Sequence, residues 1–275
     1  MCKLILALLC FSLPLFANKP VVLVSIAPYK YFVERIGGDL VETSLLVPPG
    51  ASPHTFEPTA KKIVESSKAN IWFRIGEPFE SQALPALKHH NPKMKIVDLR
   101  NGIDLICEGA GACSHGADPH IWLSPRLAAK QAQAIAAALQ QELPQERQTL
   151  ENNLQSFVAD LQKLDQANQK LFANIKKRTI LVSHPAYGYF SKDYGIVQLS
   201  IETEGREPTP KHVQKVLEQA REEGITTVFA QSQHSLRGAQ RIADELGGKV
   251  VLLDPLSQDY LENIKKTAEA FAKQL

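Results

Sequence analysis

The stretch VVLVSIAPYKYFVERIGGDLVETSLLVPPGASPHTF, residues 21–56, decides the fold. It opens with an apolar, β-branched run (Val21 to Ile26) and continues through a segment with helical spacing of apolar residues (Tyr31 to Ile36). A second apolar run (Val41 to Val47) follows, and then a histidine, His54, in a loop stiffened by prolines. The alternation recurs downstream. Apolar runs lie at Ile71 to Ile75, Ile96 to Leu99, Thr179 to Ser183, Thr226 to Ala230 and Val250 to Leu253, and helically spaced segments such as Lys61 to Lys68 and Pro210 to Glu222 fall between them. Strands alternating with helices predict parallel sheets covered by helices on both faces, an α/β protein.

The middle of the chain breaks this rhythm. From Pro144 to about Lys177 there is no glycine and no further proline, and apolar residues fall at Leu150, Leu154, Phe157, Leu161, Leu164, Leu171 and Ile175. Steps of three, four and seven residues mark one face of a helix, and Pro144 suits its first turn. About 34 residues at 1.5 Å each would make a rod of roughly 50 Å, long enough to run between lobes. The expected organisation is a signal peptide at 1–17, an α/β lobe at 18–130, a connecting helical region at 131–177 and a second α/β lobe at 178–275.

The leader reading rests on MCKLILALLCFSLPLFA: a basic Lys3, an apolar run from Leu4 to Leu15 and a small residue at Ala17. The run is shorter than the ~20 apolar residues of a membrane-spanning helix. Lipid attachment at Cys10 is a minor alternative. With 31 basic against 29 acidic residues, the chain offers no basic face for nucleic acid. Cys107 and Cys113, in CEGAGAC, are spaced for a short disulfide loop in an oxidising compartment, and more widely than zinc-knuckle cysteines.

Four residues carry candidate chemistry. His54 follows the run ending near Val47, His184 follows Thr179 to Ser183, and Asp254 follows Val250 to Leu253. His120 sits in ADPHIWLSPR, before a helix expected from Pro125. Ligands of open parallel sheets bind outside the carboxyl ends of the strands. Two such sheets facing each other would direct His54 and His120 from one lobe at His184 and Asp254 from the other. Three imidazoles and a carboxylate suit a divalent first-row metal such as zinc. Taken singly, each residue also has a structural reading, as a hydrogen-bonded histidine or an aspartate capping a turn.

Those residues lie in motifs that carry a family resemblance. The first half of the chain, from SIAPYKYF through IGGD and the PH before an aromatic to IGEPFE, resembles the solute-binding proteins of zinc/manganese-type ABC importers. DPHIWLSPR, SHPAYGYFSKDYG and VVLLDPL resemble that family's later motifs. The resemblance implies two α/β lobes joined by one long, rather rigid helix, with the metal held between them by His54, His120, His184 and Asp254. Histidine at the third position leans towards Zn2+, with Mn2+ or Fe2+ bound by some relatives. It also implies a periplasmic monomer whose partners are an ABC permease and its ATPase. Two departures stand out. Only His115 remains where zinc-type members often carry a His-rich loop, and Gln231 replaces a usual Glu. Glu202, Glu204 and Arg206 in SIETEGREP are candidates either for holding a ligand in place or for a docking surface, and His234 lies near the second-lobe loops and is a candidate to approach the cleft. A zinc hydrolase is the rival reading, but the chain has no HExxH helix, no GxSxG elbow and no clear general base.

Overall fold

The structure, a computed structural model, describes residues 19–107, 116–202 and 208–275. The expected signal peptide with Cys10, and Cys113, His115, Glu204 and Arg206, lie outside the described residues.

In the first lobe β1 (Val21–Val24), α1 (Ala27–Gly37), β2 (Glu42–Leu45), α2 (Ala60–Ser66), β3 (Ile71–Arg74), α3 (Pro78–His90) and β4 (Lys95–Asp98) follow one another. The strands pair in parallel in the order β2-β1-β3-β4, with Val22 opposite Thr43 on one side and Ile71 on the other. Val22, Leu23 and Val24 are fully buried. A parallel strand covered on both faces needs apolar residues at every position, which is why β1 reads as a continuous run.

Two helices lead out of this lobe, α4 (Pro125–Glu142) and α5 (Arg147–Phe172). The second lobe then repeats the first topology. It comprises β5 (Thr179–Val182), α6 (Gly188–Tyr194), β6 (Val197–Ser200), α7 (Pro210–Glu222), β7 (Thr227–Gln231), α8 (Leu236–Glu245), β8 (Lys249–Leu253) and α9 (Tyr260–Gln274). Its strands are parallel in the order β6-β5-β7-β8. In each lobe the chain moves outward from the first strand on both sides, so the carboxyl ends flank a crevice where the order reverses.

The long helix is shorter than expected. Pro144–Glu146 forms a 3-10 turn, and α5 proper spans 26 residues, about 39 Å at the usual helical rise. Leu150, Leu154, Phe157 and Leu161 are buried as expected, but Leu171 is exposed, and Asn168 and Phe172 are buried in its place. Asn168 donates to the Tyr194 hydroxyl at 3.2 Å. Phe172 stacks on Tyr194 and meets Phe190 edge-on. These aromatics anchor the helix end to the second lobe.

α5 is also no bare strut. It packs against α4 and α1 on one side and against α9 and α6 on the other. Phe32 of α1 lies edge-on to Phe157 of α5 and to Tyr260 of α9, at 5.1 and 4.8 Å. One apolar cluster runs from β1 through α5 and α9 to Val182 and Phe229 of the second sheet, and a smaller cluster fills the other face of that sheet. The lobes therefore share a core. Trp122, between the lobes, donates its indole N–H to the Pro255 carbonyl at 2.8 Å and accepts from the Tyr260 hydroxyl at 2.6 Å.

Candidate metal centre

His54 sits on a short 3-10 turn, Pro53–Thr55, in the loop after β2. Its Nδ1 lies 3.0 Å from Oε2 of Glu77, a fully buried carboxylate just before α3. Gly76 makes that placement feasible. Its φ of 90° falls where only glycine is comfortable, and a Cβ there would meet the Arg100 guanidinium at 2.0 Å.

His120 is buried just before the turn Ile121–Leu123. Both its backbone N–H and its Nδ1 engage Asp118 Oδ1, at 2.9 and 2.7 Å. The ring rests 5.2 Å from that of Trp122. Asp118 is held close to the start of α6, where a Cβ on Gly188 would come within 2.8 Å of its Oδ2. His184 follows β5, is buried, and presents Nδ1 to Glu202 Oε2 at 2.7 Å.

The three imidazoles converge. Their ring centroids are 4.8 to 5.3 Å apart, one ring nitrogen of each lies within 4.8 Å of the others, and His54 Nε2 is 3.1 Å from His184 Nε2. An ionised carboxylate only accepts hydrogen bonds, so a carboxylate on Nδ1 fixes the proton there and leaves the lone pair on Nε2. Glu77, Asp118 and Glu202 do this for the three histidines, the arrangement that orients and strengthens imidazole ligands. Lone pairs facing each other at 3.1 Å repel unless a cation lies between them. Tetrahedral Zn–N bonds of 2.0–2.1 Å would hold two nitrogens about 3.3 Å apart. The donor set fits such an ion.

Charge follows the same design. Burial pushes His120 down to about 3, helped by the neighbouring imidazoles, and pushes Asp118 up to about 7. Burial likewise takes His184 down to about 4 against the pull of Glu202. Burial also disfavours charge on His54, but the surrounding carboxylates, Glu77 first and then Glu202 and Asp118, together outweigh it and raise this imidazole above its ordinary value. His120 and His184 are thus neutral well into acid, and His54 is protonated first.

Asp254 stands apart. Its Oδ1 accepts from Gln233 Nε2 at 2.7 Å and from the Leu256 backbone N–H at 3.0 Å. Among the described residues, two groups of side chains lie close enough to hold a cation, and Asp254 is in neither. Gln233 lines the same small cavity as His54, His120 and His234. His234, three residues after β7, stacks on His184 at 4.5 Å. Glu77 and Asp118 lie inside the motifs IGEPFE and DPHIW, whose sequence alone does not reveal their bonds to His54 and His120. Asp118, two residues before His120, was the one recoverable signal, because Asx side chains commonly bond a backbone N–H two residues on.

Two α/β lobes of one strand order, with cation-binding side chains at the carboxyl ends of both sheets, are the build of a solute-binding protein. The chain belongs to the family described as "Zinc-uptake complex component A periplasmic", which matches residues 22–274. It is 33% identical over 254 residues to a putative metal-binding protein of Chlamydia trachomatis, covering 91% of this chain and 90% of that one. It is 28% identical over 272 residues to the high-affinity zinc uptake system protein ZnuA of Bacillus subtilis, covering 90% and 85%. A crystal structure of ZnuA, 39% identical, superposes with a TM-score of 0.88 over 94% of this chain and 99% of that one.

Proposed function

We propose that this chain is the exported binding protein of an ABC-type metal importer, a carrier with no catalytic role. It captures Zn2+ between a lobe at 18–130 and a lobe from 178 onward, and passes it to a membrane permease driven by an ATPase. His54, His120 and His184 are the ligands, and the protein acts as a periplasmic monomer. The observation that carries the reading is the convergence of three Nε2 lone pairs, each set by its own carboxylate. Imidazole donors favour zinc over manganese, and the similar Bacillus subtilis protein belongs to a high-affinity zinc uptake system. Metal analysis of protein purified from its own exported compartment should find equimolar zinc. Protein that carries no transition metal there, and takes none up from buffered Zn2+, would refute the proposal.

Asp254 is the fourth ligand only if Gln233 lets go of it, which makes it the mobile member of the set. On this reading Asp254→Ala weakens zinc binding less than loss of a histidine does, on the order of tenfold, and speeds release. Equal losses for Asp254→Ala and His120→Ala would remove the reason to assign it that role.

Acid should weaken binding through His54 and Asp118 before it reaches His120 and His184. A metal ligand must be deprotonated. His54 titrates above the ordinary imidazole value, whereas His120 and His184 stay neutral down to about 3 and about 4. Asp118, which burial raises to about 7, must also be ionised to accept the His120 Nδ1 proton. Affinity is therefore fully present above both values and declines below them as His54 and Asp118 take up protons. Zinc competition titrations between roughly pH 6 and 5 would show a slope approaching two protons, and an affinity independent of pH there would contradict the charge assignment.

A further inference from the structure

Glu202 and His234 both approach His184, and together the three have the geometry of a site. Glu202 lies just past the end of β6 and His234 just past β7, on either side of the strand that carries His184. The His184 and His234 rings stack at 4.5 Å with an interplanar angle of 29°. Glu202 spans both, with Oε2 2.7 Å from His184 Nδ1 and Oε1 3.7 Å from His234 Nδ1. One ligand atom from each of the three lies within 4.8 Å of the others. Two imidazoles and a glutamate are a known donor set for zinc. The group lies on the solvent side: the His234 and Glu202 side chains are 18% and 21% exposed, against 3% for His184.

Building on the inner site proposed above, we infer that His184, Glu202 and His234 form a second, outer site for a divalent transition cation, and that the shared His184 makes the two sites mutually exclusive. A neutral imidazole has one lone pair. With an ion in the inner site, that pair is on Nε2, and the Nδ1 proton is donated to Glu202. With an ion in the outer site, the pair is on Nδ1, and the proton has passed through solvent to Nε2. There it points at His54 Nε2, 3.1 Å away. Glu202 changes role in step, from acceptor of the His184 proton to ligand of the ion. One tautomeric exchange on one side chain therefore moves the binding position from a pocket built by both lobes to one built by the second lobe alone. This outer position is the route of exchange with solvent.

The experiment titrates Zn2+ against a chromophoric chelator for the full chain and three variants: His54→Ala/His120→Ala, the same pair with His234→Ala, and His234→Ala alone. Wild type should saturate at one ion. The double variant should keep one ion, weakened at least ~100-fold, and adding His234→Ala should weaken it about tenfold or more again. Far-UV circular dichroism and apo melting curves establish that the variants fold. His234→Ala alone, with the inner ligands intact, should hold zinc nearly as tightly as wild type but release it to excess EDTA about tenfold more slowly. Double and triple variants of equal affinity, an unchanged release rate, or two ions on wild type would each overturn the outer site or its exclusivity. A double variant as tight as wild type would overturn the inner site, and with it the reading on which the outer one rests.

Discussion

His120→Ala should lower zinc affinity by at least ~100-fold, more than any other single substitution in the cleft. Loss of a group that merely orients a ligand typically costs 10- to 100-fold, and His120 is itself a proposed ligand. It is also set much deeper than His54. Its side chain is 7% exposed, against 25% for His54, so water cannot easily take its place in the coordination shell. The change is uncompensated on the protein side as well. Asp118 loses its ring partner and keeps only the residue 120 backbone N–H, which leaves a buried carboxylate facing the remaining imidazoles. Asp118→Asn provides the graded comparison: an amide cannot fix the Nδ1 proton as firmly, and the expected loss is about 10- to 100-fold. Competition titrations at pH 7.5 would rank the two. A His120→Ala effect below about tenfold would mean that the cation is held without it.

The sequence carried the α/β class because fully buried parallel strands leave unbroken apolar runs, which needs no tertiary knowledge to see. β6 escaped notice for the converse reason. It is an edge strand of four residues, VQLS, with Val197 half exposed, so it lacks the signature of its buried neighbours. The end of α5 could not be read either. Nothing in LFANIKK forbids helix, and the stop comes from Phe172 packing on Phe190 and Tyr194, contacts made across the fold. At the site, the three histidines were legible because each follows a strand or a stiffened turn. Their carboxylates were less so: Glu77 is 23 residues from the ring it holds, and Glu202 could be read only as one of several polar residues with either a supporting or a docking role. Asp254 illustrates the limit. The pattern Leu-Asp-Pro fits both a ligand and a turn cap, and its Oδ1 is engaged by Gln233, an amide 21 residues away that the pattern could not reveal.

Trp122→Ala should cost the apo protein roughly 3–5 kcal/mol, the usual loss for removing a large buried aromatic. Trp122 is fully buried between the lobes, edge-on to Tyr29 at 6.2 Å, and beneath the His120 ring. Its indole N–H is bonded to the Pro255 carbonyl, next to Asp254. Truncation would open a void in a core shared by both lobes and also strip that carbonyl of its donor, an added cost of about 1–3 kcal/mol if no water enters. Trp122→Phe separates the two effects: it keeps most of the volume, so about 1–3 kcal/mol should remain, chiefly from the lost hydrogen bond. Urea unfolding of the metal-free protein would measure both. Because one apolar cluster joins β1, α5, α9 and the second sheet, wild type should unfold in a single transition, and Trp122→Ala should lower its midpoint without splitting it. A loss below about 1 kcal/mol, or separate transitions for the two lobes, would show that they are energetically independent. The expected result bears on release. If separating the lobes means breaking a core of this size, metal cannot leave by wide opening of the cleft, and the movement falls to side chains and loops at its rim, where Gln233, Asp254, Glu202 and His234 lie.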